Sequence, residues 1–397
     1  MTVEPGAVVG SRERRLGILV DELRADVANG LHYDPAPGDK ERFIELRDRV
    51  AALMSMIDLR DADTLGRIFA ADGGPRTPLL GVVLVLSDQR RGLLLRIGDD
   101  GIARAPRAFV DPAIDPEAAV KRLAASVLGG EEALPVPHGL CDSIAAGVPQ
   151  AHTYYLTYVV DVTFMDTTGL PLVEVDRAEA VDPLTEYLVA GAERTVLEVP
   201  FAPTPEVRDE FGRIRAIAAA GRDATADPYN VNRFGRVVET MDQVLDSMDN
   251  DTPLRRHDFG LLDVVTPITA AETLILDERA RVLLMRRADT GEWAMPGGAC
   301  EVGETSAATA VRETEEELGI HVDIEGLAGV YPNRQVGVDD EWVLFLYVGR
   351  LADASQKPQR TAEAADFGWY ALDQLDDLRM FPGHRVKIER AVRAATG

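Results

Sequence analysis

The chain reads as an α/β protein made of two tandem copies of one unit, each a helical hairpin followed by an α/β domain. Three observations lead there. Laid on itself with a shift of 190 or 191 residues, the chain keeps its register across about a hundred residues. Both copies carry a strand, polar turn, strand pattern. In the second copy, a glycine-rich turn feeds a helix between Gly298 and Ile320.

Taken in order, residues 1–65 hold the first hairpin and residues 205–255 the second. Leu23 to Met56 parallels Arg213 to Met248, so that Gly30 meets Gly221, Pro37 meets Pro228, and Arg42-Phe43 meets Arg233-Phe234. Each stretch reads as helix, proline-containing loop, helix. The α/β domains span 78–200 and 265–397. Leu84-Val85-Leu86 falls on Leu274-Ile275-Leu276, and Leu93, Leu94 and Arg96 fall on Leu283, Leu284 and Arg286. Farther on, Arg122 meets Arg312, Gly129 meets Gly319, and the apolar strand Tyr154 to Val159 meets Leu344 to Gly349. An amphipathic helix from His384 to Ala395 closes the chain and is expected to pack on the last domain.

Composition narrows the function. A net charge of -25 and a pI near 4.6 argue against a general grip on nucleic acid or on anionic membranes, both of which need basic surface. No stretch approaches the roughly 18 apolar residues of a membrane span, and the first twenty residues lack the continuous apolar core of a secretory signal. The expectation is a cytoplasmic protein. Cys141 and Cys300 lie far apart and form no metal-type cluster; Cys300 reads as a small filler in the glycine turn.

The segment Gly298 to Ile320, GACEVGETSAATAVRETEEELGI, carries the chemistry. On a helix, Glu313, Glu316 and Glu317 fall at spacings of three and four and share one face. Carboxylates crowded on one arc repel and raise one another's pKa, a cost that cations remove. Oxygen-only ligands favour a hard ion such as Mg²⁺ or Mn²⁺, which keeps waters and accepts substrate phosphates. Pro296, Gly297 and Gly298 let the backbone turn tightly and bring a carbonyl against the metal. Thr305 or Ser306 suits the start of the helix, and Gly319 suits the left-handed position past its end.

This segment resembles the motif of the Nudix hydrolases, in which G, five residues, E, seven residues, is followed by R-E-aliphatic-x-E-E-x-G-aliphatic. Gly298, Glu304, Arg312, Glu313, Glu316, Glu317, Gly319 and Ile320 occupy those positions. A chance match of seven such identities is of the order of one in a hundred million per starting position. Trp293 to Gly298 also resembles the family's W-x-x-P-G-G lead-in. Thr314 departs from the pattern, standing where the family has an aliphatic residue directed into the core, and is expected to cost packing without touching the ligands.

The resemblance implies an α/β/α sandwich with a mixed sheet in each copy. It implies that Glu313, Glu316 and Glu317 bind Mg²⁺ or Mn²⁺ with the Gly298 carbonyl, while Glu304 and Arg312 pair to order loop and helix. The implied reaction is hydrolysis of a nucleoside diphosphate linked to a group X, of ADP-ribose, nucleotide-sugar or CDP-alcohol type. Either Glu316 or Glu317 can double as base. Outside the box, Asp339, Asp340, Glu341 and Glu363 are candidates for base or extra ligand.

Opposite Glu313, Glu316, Glu317 and Glu304, the first copy has Leu123, Ser126, Val127 and Ile114, so it is expected to keep the fold and to have lost the metal. Its helix keeps a proline start at Asp115-Pro116 and a glycine stop. The stretch DPYNVNRF, Asp227 to Phe234, resembles a helical segment that precedes some Nudix hydrolases of ADP-ribose or CDP-choline type. The tandem hairpins leave two assemblies open, a homodimer or an internal pseudo-dimer. Arg286, Arg287 and Arg334 are candidates for substrate phosphates and Trp293 for stacking on a base; His257 and His384 read as solvated or satisfied side chains. The alternative function is a nucleotide-derivative sensor that uses the fold without turnover.

Overall fold

The computed structural model of the chain describes residues 11–33, 35–72, 74–144, 151–190, 205–246, 254, 256 and 259–396. They fall into two compact units, Met1–Thr266 and Pro267–Gly397. His257 lies outside the described residues. Among the described residues, no helix is long and apolar enough to cross a membrane.

The first unit opens with helices α1 (Ser11–His32), α2 (Pro37–Met54) and α3 (Ala62–Ala70). Strands β1 (Leu79–Asp88), β2 (Gly92–Ile97), β3 (Ala103–Arg104) and β4 (Arg107–Phe109) follow, then helix α4 (Pro116–Val127). Strands β5 (Val136–Asp142), β6 (Thr153–Asp161) and β7 (Leu172–Glu174) come next, and helices α5 (Pro183–Ala190), α6 (Pro205–Ala224) and α7 (Pro228–Asp246) complete it. One mixed sheet runs β3-β2-β1-β6-β5, with β4 paired to β1 and β7 to β2. The short helix α3 escapes the periodicity reading, although Asp61 marks its start by accepting the Thr64 amide at 2.7 Å.

The two helical hairpins share one core. Leu16, Leu23, Phe43 and Leu46 bury their side chains among Phe211, Ile214, Phe234 and Met241. The Phe43 and Phe234 rings stack with centroids 4.4 Å apart and planes 10° from parallel. A methyl group on Gly30 would sit 2.4 Å from the Phe43 ring, and one on Gly221 would sit 2.8 Å from the Phe234 ring, so each ring needs its glycine. Asn230 donates to the buried Asp39 carboxylate at 3.1 Å. Residues that meet here, Phe43 with Phe234 and Asp39 with Asn230, are separated by 191 positions.

The second unit contains β8 (Ile268–Ile275), β9 (Val282–Arg287), β10 (Trp293–Ala294), β11 (Gly297–Ala299), α8 (Ser306–Leu318), β12 (Val322–Pro332), β13 (Trp342–Leu351), β14 (Ala364–Tyr370) and α9 (His384–Thr396). A mixed sheet runs β11-β8-β13-β12, and a smaller one runs β10-β9-β14. Side chains alternate across β8. Thr273 therefore reaches α8, donating its hydroxyl to the Ala310 carbonyl at 3.0 Å, whereas Leu274 packs with Ile388, Ala391 and Val392 of α9. Helices thus cover both faces, the α/β/α sandwich expected.

Two comparisons between the units are exact in register. The parallel pair β1–β6 sets Val82 beside Leu156, and β8–β13 sets Glu272 beside Leu346, the same pairing moved by 190 residues. Helix α4 begins at Pro116 and α8 at Ser306, and each is followed by a left-handed glycine, Gly129 at φ 68° and Gly319 at φ 65°. At α4, Asp115 stands at the N-cap without a side-chain bond and Pro116 makes the start. The hairpin pairing differs, since β1 and β2 form a ladder while β8 and β9 lie in separate sheets joined by one bridge, Leu276–Val282.

Thr314 corrects an expectation. It is fully buried, but its hydroxyl donates to the Ala310 carbonyl at 2.7 Å and meets the Thr273 hydroxyl at 3.1 Å. The polar group is satisfied by a partner on β8, which removes most of the penalty a lone buried hydroxyl would carry.

Candidate active site

Helix α8 is held at both ends as its sequence suggests. Thr305 accepts the Ala308 amide at 3.1 Å, and Gly319 takes the left-handed cap. Nearly two turns before the end, Arg312 gathers the acidic box. Its guanidinium donates to Glu304 Oε1 at 2.8 Å, Glu313 Oε1 at 2.8 Å, Glu316 Oε2 at 3.1 Å and the Ala299 carbonyl at 3.3 Å. Burial alone would weaken its hold on the proton, but the Glu304 hydrogen bond and the charges of Glu313, Glu304 and Glu301 raise it instead.

The glycine loop lies against two carboxylates, buried Glu317 and largely buried Glu313. Gly297 donates its amide to Glu317 Oε2 at 2.8 Å. A methyl on Gly297 would come within 2.4 Å of the Ala271 carbonyl, and one on Gly298 within 2.6 Å of the Glu313 carboxyl carbon. Only glycine allows this approach. Burial pushes the Glu313 carboxyl up to about 7 against the opposing pull of Arg312, with Glu316 and Glu363 adding to the rise. Burial and the neighbouring Glu313 raise Glu317 well above the ordinary carboxylate range, Glu363 contributing and the Gly297 amide opposing.

The structure separates the expected residues. Glu313 and Glu317 come together with Gly298, and Glu363 on the approach to β14 is near enough to act on both. The Glu316 side chain is 49% exposed and turned to Arg312. Asp340 is used locally, accepting from Asn333 at 2.9 Å and from the Trp342 amide at 3.0 Å. Arg334 and Glu341 pair with each other at 3.7 Å. On β9, alternation points Arg286 toward the Asp366 side, while Arg287 acts on Glu317 and Glu363. Arg287, held by Asp289 at 2.8 Å, is thus the arginine of that pair at the box. The Trp293 ring packs edge-on against Tyr370 at 5.0 Å. His384 is buried and accepts the Met295 amide at 3.1 Å, a satisfied histidine.

Among the described residues no three acidic, histidine or cysteine side chains already converge as a metal cage. The donor set still fits a hard divalent cation. Burial raises the carboxyls of Glu313 and Glu317, a rise that a cation's charge would oppose; Glu316 is held at Arg312, and a glycine backbone lies against the first two. Glu313, Glu317, Glu316 and the Gly298 carbonyl are the groups that would hold it.

The NUDIX domain family matches residues 266–391. A MutT-like protein of Streptomyces ambofaciens is 30% identical over 122 residues, which cover 31% of this chain and 75% of that protein. The uncharacterized Nudix hydrolase YvcI of Bacillus subtilis is 30% identical over 124 residues, 30% of this chain and 76% of that protein. The chain belongs to the Nudix family. A putative 8-oxo-dGTP diphosphatase 3 of Mycobacterium tuberculosis is 36% identical over 124 residues, 29% of this chain, and the match spans only about half of that relative, 55%. Membership makes the chain a Nudix hydrolase, a pyrophosphohydrolase by class.

The raised carboxyls of this Nudix hydrolase carry a pH signature. A carboxyl whose folded pKa lies above its ordinary value stabilises the fold below the ordinary value and loses that contribution as pH rises through the folded value. For Glu313 the window runs from 4.5 to about 7, and Glu317 acts in the same direction. Metal-free protein is therefore expected to lose roughly 2–3 kcal/mol between pH 5 and pH 8. Calorimetry in chelator at the two pH values checks this, and a melting temperature that climbs across the window contradicts it.

Proposed function

We propose that this Nudix hydrolase cleaves the pyrophosphate linkage of a nucleoside diphosphate joined to a group X, of ADP-ribose, nucleotide-sugar or CDP-alcohol type, with Mg²⁺ or Mn²⁺ at Gly298, Glu313, Glu316 and Glu317. The observation that carries the reading is the pair of carboxylates, buried Glu317 and largely buried Glu313, pressed against the glycine loop. Bound there, the cation would supply Lewis-acid activation of water and charge neutralisation at the phosphates. The chain's own residues supply the rest. Arg312 orders the carboxylates, Arg287 stands at the rim for a phosphate, and Glu363 is assigned the proton of the attacking water. In the reaction one P–O bond to water forms as the bridging P–O bond breaks.

Retention of mutually repelling carboxylates favours turnover over the sensor alternative, because binding alone does not need them. The decisive experiment offers ADP-ribose, UDP-sugars, CDP-alcohols, dinucleotides and 8-oxo-dGTP with Mg²⁺, and separates the phosphate products by anion exchange. A nucleoside monophosphate and X-phosphate are expected from the diphosphates. Hydrolysis confined to triphosphates would overturn the choice of X, and none with any divalent ion would favour the sensor.

The tandem reading extends the proposal. The first α/β copy is a degenerate Nudix-like domain, supported by the shared strand register and by Leu123, Ser126 and Val127 on α4 in place of the carboxylates. The two hairpins act as an internal pseudo-dimer, supported by the contact of Phe43 with Phe234 and of Asp39 with Asn230, the self-matching pattern of a two-fold interface. Light scattering is expected to return the mass of a single chain, 43.1 kDa. A dimer mass would show that the paired hairpins leave further surface to bury.

A further inference from the structure

We infer that the C-terminal segment from Arg379 to Lys387 is a strap that holds the glycine loop in place for the cation, with His384 as its positioning residue. The inference rests on reading Gly298, Glu313 and Glu317 as the metal site.

The strap grips alternate residues of the loop. The Trp293 amide donates to the Arg379 carbonyl at 2.8 Å, and the Phe381 amide donates back to the Trp293 carbonyl at 2.8 Å. Two residues on, the Met295 amide donates to His384 Nδ1 at 3.1 Å in a buried setting. Two residues farther, Gly297 lies in register with Glu272 of β8, and a methyl there would touch the Glu272 side chain at 2.9 Å. Glu272 is itself tied to the strap. Its Oε1 accepts from Lys387 Nζ at 2.5 Å and stands 3.3 Å from His384 Nε2. All three side chains are at least nine-tenths buried.

Local chemistry sets the ring's orientation. Accepting at Nδ1 leaves the proton of a neutral imidazole on Nε2, which faces the carboxylate. Burial lowers the His384 pKa to about 4, so the ring is neutral at physiological pH. Positions 293, 295 and 297 are therefore held from one side by the strap and Glu272. From the other side, Gly297 and Gly298 meet Glu317 and Glu313.

Stability alone does not call for this arrangement. Buried ion pairs are replaceable by apolar side chains of like volume, often at no loss. Glu272 moreover keeps one oxygen, Oε2, without a hydrogen-bond partner. What a histidine acceptor and a Lys–Glu pair provide is a single geometry for the loop, and a misplacement of about 1 Å in a ligand-bearing loop is enough to weaken a site.

Two polar variants separate positioning from bulk stability. His384→Asn keeps an acceptor near the Nδ1 position, whereas His384→Gln carries its amide out to the Nε2 position and abandons the Met295 amide. Binding of Mn²⁺ alone, followed by electron paramagnetic resonance, is expected to weaken about ten-fold or more in His384→Gln and to stay within about three-fold of the parent in His384→Asn. With Mg²⁺ and substrate, kcat should follow the same order while KM moves little. Parent-like Mn²⁺ affinity in both variants, whatever their melting temperatures, would overturn the strap alone. Failure of the parent to bind Mn²⁺ at a site sensitive to Glu317→Gln would bring down the metal reading and the strap together. Should the variants not fold, hydrogen exchange in the parent decides. Amides of Trp293, Ala294, Met295, Gly297 and Gly298 are expected to open with those of His384 to Lys387, and loop exchange a hundred-fold faster than the helix would overturn the proposal.

Discussion

Glu317→Gln is expected to reduce metal-dependent hydrolysis by at least about a thousand-fold, about 4 kcal/mol of barrier, while the protein remains folded. The side chain is 2% exposed, and its shape is kept by Gln. A Gln oxygen can still accept the Gly297 amide, now met by the carboxylate at 2.8 Å. What disappears is the negative charge, which costs the metal-free protein energy and has value only when a cation is present. The metal-free melting temperature should therefore hold or rise as turnover collapses. Turnover and calorimetry on one preparation give both quantities. Glu316→Gln belongs beside it, with Ser126→Ala in the first copy as the comparison expected to leave turnover alone. Full activity in Glu317→Gln would place the site elsewhere.

Arg312→Met is expected to destabilise the second unit by about 3 kcal/mol, because removing one partner leaves buried charge without compensation. Glu304 and Glu313 both lie within 2.8 Å of the guanidinium and are largely buried; Glu316, half exposed, adds little. For a unit of this size the loss corresponds to a fall of about 10 °C in melting temperature. Saturating Mg²⁺ should recover part of it, since a cation then stands among the same carboxylates. A loss below about 1 kcal/mol would mean that the three acids are already protonated or solvated without Arg312. Activity should fall with metal affinity, as the box loses the group that sets its geometry.

The box was legible because it is local. Helix periodicity places Glu313, Glu316 and Glu317 within one turn, and the spacing to Glu304 and Gly298 spans one loop. Cap residues at Thr305 and Gly319 act at the positions their chemistry favours. The repeat proposed above rests on marks just as local, the glycine and proline positions at 30, 37, 221 and 228 that punctuate both hairpins at one spacing.

Non-local features were not. Glu363 could not be ranked above Asp339, Asp340 and Glu341 because its nearness to the box depends on the pairing of β14 with β9. The choice of Arg287 over Arg286 depends on the parity of one strand, and a register slip of one residue would reverse it. Glu272 did leave a signal, a lone charge within the otherwise uncharged strand ITAAETLI. Reading it required Lys387 and His384, more than a hundred positions away. The Thr273–Thr314 pair was hidden in the same way: Thr314 stood out as a departure from the family pattern, but the partner that satisfies its hydroxyl lies 41 positions away.

The meeting of Asp39 with Asn230 has a consequence for how this protein can change. Equivalent positions of two identical subunits would oppose like with like at that point, acid against acid or amide against amide. Joining both hairpins on one polypeptide lifts that restriction, so the acceptor and the donor are divided between them. Their encounter is also intramolecular, which makes it independent of dilution, and under the tandem reading proposed above it gives each half licence to mutate without its twin.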